Sequence, residues 1–118
     1  GLLAKRRPSE RRVEAFVVTP EVVINNDLSE HHTVIEVSGR DRPGLLYDLT
    51  STISDLNLDI TSAHITTFGE KAVDVFYVTD LTSKKIGSAS RQASIRDRLT
   101  TVLEGTAQSA AAAPMVET

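Results

Sequence analysis

The chain has 118 residues, 40% of them hydrophobic and 25% charged, and no cysteine, which fits one domain held by a packed core and excludes a disulfide frame, a cysteine zinc knuckle and a thiol nucleophile. Its formal net charge of -3 supplies no global field toward nucleic acid or an anionic membrane. No stretch approaches the roughly 20 apolar residues needed to cross a bilayer, and Gly1-Leu2-Leu3-Ala4 is too short for a secretory core, so a soluble, cytoplasmic protein is expected.

The first dozen residues crowd Lys5, Arg6, Arg7, Arg11 and Arg12 around Pro8 without any apolar period, and residues 1–12 are expected to be a basic linker. From there Phe16, Val18, Pro20, Val22 and Ile24 recur at period two, the signature of one strand face. Pro20 cannot donate to a ladder, which predicts a sheet edge or a bulge. Asn25-Asn26-Asp27 and Ser29 supply turn chemistry, and a second strand is predicted over 33–38, where Ile35 and Val37 alternate with Glu36. Gly39-Arg40-Asp41-Arg42-Pro43-Gly44 then leads into Leu45, Leu46, Leu49, Ile53 and Leu56, a helical stripe predicted to start at Pro43 and to be closed by Asn57.

A third strand is predicted over 59–67, with Thr61, Ala63 and Ile65 on one face. Gly69-Glu70 turns the chain into a β-branched and aromatic strand over 72–79. Ile95, Leu99, Val102 and Leu103 mark a second amphipathic helix that Gly105 should end, leaving residues 106–118 as a flexible tail and 13–105 as the domain. The order is strand, strand, helix, strand, strand, helix: an α+β two-layer sandwich with a four-stranded sheet under two helices. Val23, Val34, Val75 and Tyr77 fall on the face away from the helices, either a surface covered by a neighbour or ordinary exposed apolar residues.

Catalytic constellations are poor. There is no phosphate loop, no nucleophile elbow and no zinc-protease helix. His31-His32 would point to opposite sides of a strand, His64 lacks a ligand partner, and an inward Asp74 would need a partner that the sequence does not identify. The informative stretch is 39–46. A helix beginning at Pro43-Gly44 would leave the N–H groups of Gly44, Leu45 and Leu46 free at the positive end of the helix dipole, suited to a carboxylate. Asp41 beside them either caps the helix or takes an ammonium. The second arrangement suits a free α-amino acid.

The run Val34-Ile35-Glu36-Val37, the stretch Gly39-Arg40-Asp41-Arg42-Pro43-Gly44-Leu45-Leu46, then Asp59-Ile60 and Ala63-His64-Ile65-Thr66-Thr67 resemble the ACT domain family of amino-acid-sensing regulatory modules. With Gly69-Glu70-Lys71 and Asp74-Val75-Phe76-Tyr77-Val78-Thr79-Asp80, and with the lead-in through Pro20, the likeness is greatest to the carboxy-terminal ACT repeat of bacterial uridylyl-transferring and uridylyl-removing enzymes. It covers about residues 13–103. The resemblance implies a ferredoxin-like fold with a four-stranded antiparallel sheet, lacking the usual last strand, whose edge place the first strand here could take. It also implies a non-catalytic regulatory piece of an enzyme that modifies the PII signalling protein, with L-glutamine as effector, no cofactor, no metal, and pairing as a homodimer or with a preceding repeat. By the same resemblance Asp41, Arg42, Pro43, Gly44, Leu45 and Leu46 hold the amino acid's polar ends. Asp59, at a family position that is frequently asparagine, contributes across a dimer. The rival reading is a ligand-free dimerisation domain.

Overall fold

The computed structural model describes residues 18–116, and side chains over 18–105; the basic head, Phe16 and the last two residues lie outside the described residues. Four strands, β1 (Glu21–Asn25), β2 (Thr33–Arg40), β3 (Leu58–Phe68) and β4 (Lys71–Asp80), and two helices, α1 (Leu45–Asp55) and α2 (Ala89–Val116), follow in the order β1-β2-α1-β3-β4-α2. The sheet runs β1-β2-β4-β3 and every pairing is antiparallel. This is the ferredoxin-like α+β sandwich expected from the sequence. β1 takes the edge beside β2.

Four boundaries differ from expectation. Pro20 immediately precedes β1 instead of interrupting it, so no bulge is needed there. The helix begins at Leu45, two residues after Pro43, because Gly44 adopts a left-handed φ of 82° that no helical residue has. Thr61 is the extra residue of a β-bulge between Ile60 and Ser62, so it drops out of the inward set that Ala63 and Ile65 continue. Gly105 does not end α2, whose backbone stays helical to Val116.

Alternation decides which face is buried. Ile35 and Val37 on β2, and Ala72, Phe76 and Val78 on β4, point at the helices and meet Leu45, Leu49 and Ile53 of α1 and Ile95, Leu99 and Leu103 of α2. Burying each of these side chains larger than alanine contributes about 1.5–3 kcal/mol before entropy is subtracted. Gly39 lies under α2 because a Cβ there would come within 2.7 Å of Leu103 Cδ2. At the opposite end, Asn57 closes α1 with a φ of 63°, and Arg91 of α2 donates to the carbonyls of Leu56 (3.0 Å) and Asn57 (3.1 Å), placing a cation where helix carbonyls go unpaired.

A buried polar knot joins the two loops at that same end. The Thr33 hydroxyl, fully buried, donates to Asn26 Oδ1 (2.5 Å) and accepts from the Ile86 N–H (2.8 Å), while Asn26 Nδ2 donates back to the Ile86 carbonyl (2.8 Å). These groups bind the β1–β2 turn to the β4–α2 connection, and the apolar pattern gives no hint of them.

Candidate functional site

The chain leaves β2 at Arg40 and turns into α1 over Asp41 to Gly44. The turn is pinned from three sides. The Asp41 N–H donates to the Glu70 carbonyl (2.8 Å), tying it to the β3–β4 hairpin, and Arg40 reaches Glu70 Oε1 at 3.3 Å. Arg42 places its guanidinium 2.7 Å from Asp48 Oδ2 in the first turn of α1 and donates to the Pro43 carbonyl (3.2 Å). Gly44, in the left-handed region, stands at the helix start, where any side chain would be strained irrespective of space.

Among the described residues no side chain caps α1; Asp41 is exposed and does not occupy the helix start. Of the three amides expected to be free, that of Leu45 is taken by the Arg42 carbonyl (3.2 Å), because the turn through Gly44 brings that carbonyl back over the helix. The N–H groups of Gly44 and Leu46 have no acceptor among the described residues. Two donors at the positive end of α1, with an uncapped carboxylate beside them, can hold a carboxylate and an ammonium at once.

Asp59 is not brought to this loop within one chain. It opens β3 opposite Thr79, at the end of the sheet where α1 finishes, while Asp41 lies where α1 begins. Eleven helical residues separate those ends by about 16 Å. The histidines stay apart from the loop as well. His64 and His32 stand edge-on to the Tyr77 ring on the open face of the sheet, at centroid distances of 5.7 and 6.4 Å, and His31 is exposed beside Glu30.

Asp74 is the one acid the sequence suggested as inward, and it is: its residue is 2% exposed, it shares the helix-facing side with Ala72 and Phe76, and its Oδ1 has no hydrogen-bond partner among the described residues. Burial pushes its carboxyl pKa above the ordinary value, and the charge of Asp41 pushes the same way.

A model of the ACR9-like, ACT-like domain family matches residues 21–108. A bifunctional uridylyltransferase/uridylyl-removing enzyme of Bradyrhizobium diazoefficiens is 57% identical over 100 residues, which is 85% of this chain and 11% of that enzyme. The chain thus spans about a tenth of the length of that curated relative.

Proposed function

The chain belongs to the ACT-like domain family, and on that premise we propose that it is a regulatory amino-acid-binding module with L-glutamine as its effector. In this reading it serves a longer cytoplasmic enzyme that attaches and removes uridylyl groups, whose catalytic groups lie outside this domain and whose protein partner is the PII signalling protein. The observation that carries it is the uncapped start of α1: Gly44 and Leu46 offer N–H groups to a carboxylate, and the exposed Asp41 accepts from an ammonium. Arg42 and Pro43 shape the loop, Leu45 anchors it in the core, and Asp59 acts only on the site of a second copy.

Thermal melting against a panel of amino acids tests the reading. A ligand at 100 times its Kd adds roughly 2.7 kcal/mol to the folded state, enough to raise Tm visibly. Asp41→Asn should lose glutamine affinity while keeping its melting temperature, since Asp41 caps nothing. An unchanged Tm with glutamine and with every other amino acid would leave the rival reading, a ligand-free dimerisation domain. That rival is favoured by one observation of its own, the wholly exposed outer strand from Thr61 to Phe68.

A further inference from the structure

We propose that Asp74 is the inner acid of this site, sharing the ligand's ammonium with Asp41 and so selecting for an amine next to the carboxylate. The inference rests on the amino-acid-binding reading and deepens it. Three placements support it.

The first is topological. α1 descends from the Asp41 loop, and β4 descends from the hairpin to which Asp41 is bonded through Glu70, so the start of α1 and the first half of β4 lie at one end of the sandwich. Asp74, the fourth residue of β4, faces the helix layer just inside that end. Asp41 is near enough for its charge to act on it.

The second is the orphaned oxygen. Asp74 sits between Val37 on β2 and Ile65 on β3, with Ala72 and Phe76 next along its own face, and none of these carries a side-chain donor. A buried carboxylate oxygen without a donor costs free energy that a packed apolar residue would not. A ligand ammonium, with three donors, supplies what Oδ1 lacks.

The third is access. Ile65, beside Asp74 in register and on the same side of the sheet, is 46% exposed, so the layer over Asp74 ends one strand away. The acid is covered but stands at an open margin. Entry along β3 would bring an ammonium between Asp41 and Asp74 while the carboxylate meets the amides of Gly44 and Leu46.

The test is a two-by-two calorimetric titration of the full chain. Wild type and Asp74→Asn are each titrated with L-glutamine and with 4-carbamoylbutanoate, which is glutamine without its ammonium. Asp74→Asn should weaken glutamine at least tenfold and leave the deaminated acid within twofold of wild type. Equal loss for both ligands would make Asp74 a general support of the loop and overturn the proposal, as would unchanged glutamine binding; in either case the amino-acid-binding reading stands. Failure of glutamine to bind the wild-type chain would overturn both. Asp74→Ser, smaller and also neutral, carries the same comparison should the asparagine variant not fold.

Discussion

Two aspartates on β4 respond to folding in opposite directions. Asp80 accepts from the Thr82 hydroxyl (2.6 Å) and from the N–H groups of Thr82 (2.8 Å) and Lys84 (3.0 Å), and these bonds, the hydroxyl's first, lower its pKa. Its stabilisation is present above the ordinary value of 3.8 and is lost as pH falls through the lowered one. Asp74 does the reverse. Burial raises its pKa, so the folded chain holds the proton more tightly than the unfolded chain, and stability declines as pH rises through the raised value. Asp74→Asn removes the charge at nearly constant volume. In the absence of ligand it should therefore be more stable than wild type at pH 7–8, with the advantage shrinking to nothing at a pH below the ordinary aspartate value. Urea unfolding of both chains across that range checks the sign; a variant less stable at neutral pH and equally so in acid would show that the carboxylate has a stabilising partner in the fold.

At the scale of elements, hydrophobic stripes hold the helices to the sheet, and the polar knot at Thr33 fixes how the connections close. Thr33→Val keeps the shape but leaves the Ile86 N–H and Asn26 Oδ1 without the hydroxyl they share. The expected cost is about 1–3 kcal/mol, the penalty of leaving buried polar groups unpaired. Chemical denaturation should show a lower midpoint with an unchanged slope. Loss concentrated at this end would also spare ligand binding, because the Asp41 loop lies at the other end of the sandwich. The sequence identified both helices and the first three strands through their periods, since alternation gives a strand period two and a helix 3.6, and the fourth strand through its β-branched and aromatic residues after a glycine turn. It misplaced the start of α1 because Pro43 is equally suited to the turn that precedes a helix and to its first position, and only the left-handed Gly44 separates the two.

For the whole molecule, the sheet order leaves β3 as an outer strand whose residues from Thr61 onward are all exposed, with Ile65 at 46% and Phe68 at 63%. An exposed, partly apolar edge is a template for pairing with another strand. We expect a homodimer in solution through this edge, and a partner arriving there would also bring an Asp59 that a single chain keeps far from its own loop. Sedimentation should find a dimer for the wild-type chain and a shift toward monomer for Ile65→Lys, which places a charge on the edge. A wild-type monomer at high concentration would remove the edge from consideration.

The amino-acid sequence by itself determined the sandwich, its element order and the loop that opens α1, because each depends on local periodicity, turn residues or a contiguous motif; for the first strand it left an edge or a bulge open, and the sheet order decided the edge. The resemblance of that motif to ACT domains supplied the rest of the expected site. Only the tertiary structure decided that Asp41 caps nothing, that the Leu45 amide is spent on Arg42, that Thr33 and Ile86 share a buried hydroxyl, and that Asp74 is buried with an oxygen unpaired. The first two follow from the left-handed turn at Gly44, and the last two from which groups meet across strands and loops distant in sequence. A hydrogen bond is satisfied or left open by that meeting, and no local pattern of residues records it.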